Sequence, residues 1–289
     1  CITNVVVTNF IGGNFNNSDK SYGYFDATGT TFPFQKGLVL STGKLSNVDG
    51  PNTTLSDDNA LNWLGDTDLE LALNENNTTN ATIIEFEFVA VASQISFNYI
   101  FASEEYQQNN ANTCRYSDLF GFLIRKKSSN QYTNIALVPN TQTPVKVTTV
   151  HPAISGGCTA QNEMYFGSWN GPTAPINFNG QTAVLEATTT VVPNETYHVK
   201  LVIADEQNYR YDSAVFLEAG SFKLHTNLGD DKLLANRTAL CENDTLELSA
   251  FETGLSTYKW FKDGVAVSEA TNNILDFSPA LLADSGNYY

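Results

Sequence analysis

The chain has 289 residues, of which 42% are hydrophobic and 16% are charged, so it is long enough to form two packed domains. Its 15 basic and 31 acidic residues give a net charge of −16, which argues against nucleic-acid binding, because phosphate recognition needs clustered Lys and Arg. No run of about 18 apolar residues is present, so the sequence predicts no membrane-spanning helix.

Short stretches of alternating apolar and polar residues predict β-strands along most of the chain. The longest helical candidate, residues 57–64 (DDNALNWL), predicts only a short capped turn. The predicted strands are 83–89 (IIEFEFV), 95–101 (ISFNYIF), 119–124 (LFGFLI), 197–203 (YHVKLVI) and 214–219 (AVFLEA). Because Gly, Asn and Pro clusters separate these strands, we predict an all-β fold, an antiparallel, jelly-roll-like β-sandwich.

A second domain is predicted after a change in composition near residues 225–231 (HTNLGDD). We therefore assign residues 1–226 to the first sandwich and residues 227–289 to an immunoglobulin-like domain that is incomplete at its C terminus. Cys241 precedes an alternating strand, Trp260 lies on the next one, and residues 284–288 (DSGNY) match the run before the second cysteine of immunoglobulin domains. This order predicts that Cys241 pairs with a cysteine following Tyr289.

Two of the four cysteines, Cys114 and Cys158, lie in polar, turn-rich stretches. No cysteine has the spacing of a zinc site, so we predict a disulfide between these two, which requires an oxidising compartment. The alternative is a pair of unrelated free thiols.

Acidic residues are concentrated in turns at the ends of the predicted strands. Clustered carboxylates repel one another unless a cation neutralises them, and Ca²⁺ binds six to eight oxygen ligands. We therefore predict at least one Ca²⁺ site in the first domain. The alternative is that these are solvated turn residues, since Asp and Asn favour turns. The candidate ligands are Asp66, Asp68, Glu104, Glu105, Asp118, Asp205 and Asp212.

Trp63 and Trp169 lie in polar loops, where an exposed indole could stack on a sugar or a protein ligand. The alternative is that both rings cap the hydrophobic core from its edges. The sequence by itself leaves both interpretations open.

Catalytic motifs are absent from the sequence, and its three histidines, at positions 151, 198 and 225, are scattered. The Glu104–Glu105 pair could serve a glycosidase, but adjacent residues of a strand point to opposite faces. We therefore predict a non-catalytic binding module. The alternative is a secreted carbohydrate-active enzyme or its glycan-binding accessory module.

Six segments resemble, in order, the choice-of-anchor L domain of Bacteroidota surface proteins, over roughly residues 1–224. The two most specific segments are 97–106 (FNYIFASEEY) and 211–222 (YDSAVFLEAGSF). The other four are 37–43 (GLVLSTG), 65–69 (GDTDL), 118–122 (DLFGF) and 197–205 (YHVKLVIAD).

The resemblance implies an extracellular protein at the outer-membrane cell surface, exported by type IX secretion and carrying a C-terminal sorting or anchoring region. It implies no enzymatic activity and suggests adhesion, with a link to gliding motility or surface attachment. The expected partners are a surface glycan or protein ligand and the secretion and anchoring machinery, with the immunoglobulin-like domain as a stalk. Family members often carry a further Asp at position 207 or 208, so the amide of Asn208 becomes an additional candidate Ca²⁺ ligand.

Overall fold

The computed structural model describes residues 3–15, 19–57, 63–225, 228–235, 237–250, 257–268 and 270–289. This part of the chain consists almost entirely of β-strands and loops. In chain order the strands are β1 (Thr3–Ile11), β2 (Asn14–Phe15), β3 (Asp19–Lys20), β4 (Tyr22–Asp26), β5 (Lys36–Ser41), β6 (Thr78–Val89), β7 (Gln94–Ser103), β8 (Leu119–Lys126), β9 (Thr133–Asn134), β10 (Phe166–Trp169), β11 (Gly180–Thr182), β12 (Leu185–Thr190), β13 (Thr196–Glu206), β14 (Ser213–Glu218), β15 (Lys223–His225), β16 (Leu246–Ser249), β17 (Phe261–Lys262), β18 (Val265–Ala266) and β19 (Ile274–Phe277). The helices are α1 (Thr67–Leu73) and short 3-10 turns at Leu45–Asn47, Ala111–Cys114, Val147–Thr149, Glu163–Tyr165 and Leu282–Asp284.

Two antiparallel sheets form the first domain. One has five strands in the order β1-β6-β13-β8-β9, and the other has eight, with the path β10-β11-β7-β14-β5-β4 and with β12 and β15 also paired to β7. The all-β, antiparallel sandwich predicted from the sequence is therefore confirmed. Four predicted strands lie within β6, β7, β8 and β13, and the fifth matches β14 to within one residue.

The main hydrophobic core lies between these two sheets. It is formed by every second residue of the facing strands, as the alternation of side chains in a strand requires. Phe97 of β7 meets Phe122 of β8 with ring centroids 4.6 Å apart, and Phe222 stacks on Phe97 at 4.0 Å. These aromatic contacts join the two layers.

Each sheet is also covered on part of its outer face. Leu69 and Leu73 of α1 pack on outward-facing residues of β6, β8 and β13. On the other sheet, Phe32 and Phe178 from loops pack on outward-facing Phe216 and its neighbours. Since the central strands are buried on both sides, they can be apolar at consecutive positions, as in 119–124.

The position of the helix differs from the sequence-based expectation. Of the predicted turn at 57–64, residues 58–62 lie outside the described residues, whereas α1 begins three residues after that turn. Asp66 is its N-cap and accepts a hydrogen bond from the backbone N–H of Leu69 at 2.8 Å. Asn74, in the left-handed conformation, ends it. The acidic run predicted as a turn is thus the first turn of a helix.

The predicted disulfide between Cys114 and Cys158 is confirmed, with Cα atoms 5.9 Å apart. It links the 3-10 turn before β8 to the loop after the Val147–Thr149 turn. Cys241 is exposed and has no disulfide partner among the described residues.

The described part of residues 227–289 contains two small sheets, in which β16 pairs with β19 and β17 with β18. Trp260 is buried and donates its indole N–H to the carbonyl of Asn272 at 2.9 Å. The Tyr288 hydroxyl donates to the carbonyl of Asp284 at 2.7 Å, the contact expected of a tyrosine corner. The immunoglobulin-like assignment and the pairing of Cys241 stay predictions, and the predicted boundary at 226/227 lies outside the described residues. No helix in the described part is long and apolar enough to cross a membrane.

Candidate functional site

Three carboxylates lie between the two sheets at one end of the main core. Glu105 follows the end of β7, Asp118 precedes β8, and Asp205 belongs to β13. Asp118 and Asp205 continue the inward-facing series of β8 and β13, which recurs at every second residue, and Glu105 lies in the turn after β7. All three are almost fully buried, with exposed fractions of 4%, 1% and 0%.

Two further buried carboxylates, Glu104 and Asp212, lie beside these three. Both are bound by Ser56, whose backbone N–H donates to Glu104 Oε1 at 2.7 Å and whose hydroxyl donates to Asp212 Oδ2 at 2.8 Å. The charge of Asp212 acts on Glu104 and also on Asp118 and Asp205. We call these five residues, Glu104, Glu105, Asp118, Asp205 and Asp212, the acidic cluster.

Two oxygen atoms of the acidic cluster are buried without a hydrogen-bond partner among the described residues, Glu105 Oε2 and Asp205 Oδ1. Other oxygens of the cluster are bound: Ser213 Oγ donates to Asp118 Oδ2 at 2.6 Å, and Asn80 Nδ2 donates to Asp205 Oδ2 at 3.0 Å. Buried polar atoms are nearly always paired in folded proteins, so two unpaired carboxylate oxygens in one cluster call for an explanation.

The acidic cluster has few sources of positive charge. None of the ion pairs in the described part of the chain involves Glu104, Glu105, Asp118 or Asp205. Burial raises the pKa of Glu104 to about 7 and that of Glu105 to about 8. It raises the pKa of Asp118 and Asp205 well above the usual range, and neighbouring carboxylates add to the effect. Glu104, Glu105, Asp118 and Asp205 therefore favour the neutral form, and a cation bound beside them would favour the charged form.

The remaining candidate Ca²⁺ ligands lie elsewhere. Asp66 and Asp68 pair with Lys200, which projects from the outer face of β13 toward α1, and the Lys200 Nζ to Asp66 Oδ2 distance is 2.9 Å. Asn208 Oδ1 accepts a hydrogen bond from the backbone N–H of Arg210 within its own loop. The structure thus brings together five of the eight predicted ligands. In the described residues, no three His, Cys, Asp or Glu side chains already surround a common point closely enough to hold a metal ion.

Strand alternation does not separate Glu104 from Glu105, because β7 ends at Ser103 and the pair lies in the following turn. Both carboxyl groups are nevertheless buried, with exposed fractions of 1% and 4%. A glycosidase needs two carboxyl groups within reach of the scissile bond. The geometry of this pair therefore does not support such a role.

The two loop tryptophans have different environments. Trp63 packs against Phe15 with ring centroids 5.5 Å apart and donates its indole N–H to the carbonyl of Ala81 at 2.9 Å. Trp169 is half-buried, with its ring against Phe166 at 4.8 Å, and it lines a groove of about 400 Å³. Its indole N–H has no hydrogen-bond partner in the described part of the chain. Trp63 thus packs on Phe15 with its N–H bonded, whereas Trp169 packs against the edge of the main core and also lines the groove.

The groove beside Trp169 is polar and its side chains are held in place by one another. Ser168 Oγ donates to Asn170 Oδ1 at 2.8 Å, and Asn170 Nδ2 donates to the carbonyl of Phe178 at 2.9 Å and to Gln181 Oε1 at 3.3 Å. Sequence reasoning missed Ser168, Asn170 and Gln181, because an isolated amide or hydroxyl in a loop carries no signal of a shared groove. We call this site the Trp169 groove.

A family model for the choice-of-anchor L domain matches residues 1–223 of the chain. The chain belongs to this family. The resemblance inferred from the sequence is confirmed for the domain family, and the choice-of-anchor L domain is a non-catalytic type of module found in secreted, surface-associated proteins. No curated protein matches the chain.

Proposed function

We propose that the choice-of-anchor L domain of this chain is a non-catalytic extracellular module that binds carbohydrate in the Trp169 groove. The observation that supports this most directly is the unpaired indole N–H of Trp169 at the edge of a groove lined by amides and hydroxyls. A sugar offers hydroxyl groups to such donors and acceptors and an apolar face to an aromatic ring.

The rigidity of the groove also supports binding. Asn170 is held by hydrogen bonds to Ser168, Gln181 and the carbonyl of Phe178, so its amide loses little freedom when a ligand binds. Asn52 Nδ2 donates to the carbonyl of Asn170 at 2.9 Å and fixes the same loop from the other side. A pre-formed polar site is typical of small-molecule and glycan recognition.

A binding module explains the geometry better than a hydrolase does. Glu104 and Glu105 are buried, and neither lines the Trp169 groove. Among the described residues that line the groove, none has a titratable side chain. Adhesion through a surface glycan therefore remains the function we propose, and hydrolysis of the same ligand is the competing outcome of the test.

The proposed setting follows from the family resemblance. We infer export by type IX secretion in a member of the Bacteroidota, with the immunoglobulin-like region acting as a stalk between the binding domain and an anchor. The tyrosine-corner contact between Tyr288 and Asp284 supports the immunoglobulin-like assignment. A role in gliding or surface attachment would use the same ligand-binding domain.

The proposal is tested by exchanging each loop tryptophan for phenylalanine and screening a glycan panel. Trp169→Phe removes the free indole N–H, so we expect binding about fivefold weaker or more, following a hydrogen bond of about 1 kcal/mol. Since the Trp169 ring packs on Phe166, stability should fall by about 1 kcal/mol, as in the control. Trp63→Phe is the matched control, because it removes a bonded N–H. It should lower the free energy of unfolding by about 1 kcal/mol and leave glycan affinity unchanged.

Two results would contradict this proposal. Either no glycan binds the wild-type chain, or Trp169→Phe binds as well as wild type. Saturable hydrolysis of a glycan by the wild-type chain would instead favour the enzyme alternative.

A further inference from the structure

We propose that one calcium ion binds in the acidic cluster, between Glu105, Asp118 and Asp205. This proposal goes beyond carbohydrate binding, and its test does not depend on whether the Trp169 groove binds a ligand. Glu105 follows β7 of the eight-stranded sheet, whereas Asp118 and Asp205 lie at the ends of β8 and β13 of the five-stranded sheet. An ion bound by all three would therefore join the two layers.

The first argument is the pair of unpartnered oxygens. Glu105 Oε2 and Asp205 Oδ1 are buried without a hydrogen-bond partner among the described residues. Leu119 pairs with Ala204 in the register of β8 and β13, and the backbone N–H of Glu206 donates to Asp118 Oδ1 at 3.4 Å, so Asp118 and Asp205 lie side by side. The charge of Glu105 acts on both, so the three carboxyl groups border the same buried volume. A cation in that volume would satisfy both oxygens.

The second argument is charge. Asp118 accepts hydrogen bonds from Ser213 Oγ and, more weakly, from the backbone N–H of Glu206, and neither of these neutral donors supplies positive charge. No ion pair in the described residues reaches Glu105, Asp118 or Asp205. A divalent cation supplies two positive charges at the place where the like charges repel most strongly.

The third argument concerns the choice of metal. The acidic cluster offers carboxylate oxygens with the Ser213 hydroxyl beside them, and none of its five residues is a histidine or a cysteine. Such a set suits Ca²⁺ rather than Zn²⁺ or Cu²⁺. Mg²⁺ usually keeps several water molecules, for which a cluster exposed by 4% or less leaves little room.

The carboxylates must rearrange to bind the ion, because no three of them in the described residues already form a group that could hold a metal. Glu105 lies in the turn after β7 and Asp118 lies just before β8, so both belong to irregular backbone that can adjust. Calcium binding is therefore expected to change the environment of Tyr106, which directly follows Glu105.

The test begins with the wild-type chain, from which bound metal is removed with EDTA. Either Ca²⁺ or Mg²⁺ is then added to about 1 mM. We expect Ca²⁺ to raise Tm by about 5 °C or more, with one ion per chain by calorimetry, and Mg²⁺ to have a much smaller effect. Near-ultraviolet circular dichroism should change with the same calcium dependence, reporting the rearrangement near Tyr106.

Two variants and one control locate the site. Asp205→Asn and Glu105→Gln each keep the side-chain shape and remove one charge, so both should lose the calcium-induced rise in Tm. In EDTA they should be about as stable as wild type, because a neutral amide replaces a carboxyl group that burial already holds mostly in its neutral form. Asp68→Asn is the matched control. It removes an acidic residue that pairs with Lys200 instead, so it should keep the full calcium effect.

The proposal is overturned if the wild-type chain shows neither a calcium-dependent Tm nor a bound ion. It is also overturned if both Asp205→Asn and Glu105→Gln keep the full calcium effect, or if Asp68→Asn alone loses it. An equal rise in Tm with Mg²⁺ would refute the assignment to calcium. If one variant fails to fold, the other variant and the number of calcium ions bound per wild-type chain still test the proposal.

Discussion

At the scale of single residues, Lys200 of β13 forms ion pairs that stabilise the start of α1. Its ammonium group pairs with Asp66 and Asp68 at the start of α1, and it also lies 5.5 Å from the ring centroid of Tyr132. Asp66 also caps α1, because its other carboxylate oxygen accepts a hydrogen bond from the backbone N–H of Leu69. Two carboxylates that look like metal ligands in the sequence are therefore neutralised by a lysine.

Replacing Lys200 by methionine should lower the free energy of unfolding by about 2 kcal/mol, because Asp66 would stay buried without its cation. Lys127→Met is the control: Lys127 pairs with Glu87 at 2.6 Å, but 61% of its side chain is exposed, so the loss should stay below about 0.5 kcal/mol. Urea denaturation measures both values. Equal losses would show that the Lys200 pairs contribute no more than a surface ion pair.

The pH dependence of the Lys200 contribution has a definite sign. Burial lowers the pKa of Lys200, but hydrogen bonds with Asp68 and Asp66 raise it by more, so the pKa lies above the ordinary value of 10.5. A group whose pKa is raised by folding stabilises the protein below its unfolded-state pKa. The difference between wild type and Lys200→Met should thus persist at neutral pH and shrink only as the pH rises above 10.5.

At the scale of elements, the disulfide restrains the segment that carries two members of the acidic cluster. Cys114 lies between Glu105 and Asp118, and its partner Cys158 lies in a loop beyond β9. The connection from β7 to β8 contains only a 3-10 turn, so its backbone has few hydrogen bonds of regular structure. The bond therefore restrains this segment by tying its middle to the loop at Cys158.

Changing both Cys114 and Cys158 to serine should lower the free energy of unfolding by about 4 kcal/mol, the loop-closure entropy for a separation of 44 residues. Cys241→Ser is the control, since Cys241 is exposed, and it should change stability by less than about 0.5 kcal/mol. Denaturation with and without a reductant provides the measurement. A double variant as stable as wild type would show that the native contacts alone order this segment.

At the scale of the whole molecule, the acidic cluster and the Trp169 groove share structural elements. Tyr106 directly follows Glu105, and its ring centroid lies 6.1 Å from that of Trp169. Asn179 Nδ2 donates to the carbonyl of Glu104 at 2.8 Å, while its own backbone carbonyl accepts from Asn170. The 104–106 turn thus contacts one wall of the groove directly.

If both proposed sites exist, EDTA should weaken glycan binding by about fivefold or more, because the empty cluster leaves the turn beneath Trp169 less ordered. The Glu105→Gln variant should bind glycan with the same affinity with and without calcium. Binding is measured by calorimetry at matched ionic strength. If the glycan affinity of the wild-type chain does not depend on calcium, the two sites are not coupled. Each site is then judged by its own experiment.

Much of the fold was accessible from the sequence, because strand alternation is a local property. The runs at 83–89 and 197–203 predicted strands that the structure confirms, and Cys114 and Cys158 predicted a disulfide through their composition and context alone. The clustering of Glu105, Asp118 and Asp205 was also partly visible, since each stands next to an apolar strand. The segments 97–106 and 211–222 indicated the family, which the match over residues 1–223 confirms.

Only the tertiary structure decided which acidic residues share a site. Asp66 and Asp118 look alike in the sequence, yet Asp66 lies on the outer face of the five-stranded sheet with Lys200 and Asp118 lies between the sheets. The difference depends on which face each strand or helix buries, and on a lysine more than 130 residues away in the chain. The same holds for Trp63 and Trp169, because the partner of an indole N–H is set by long-range packing. Local sequence therefore determined the strands, and the pairing of distant segments determined the chemistry.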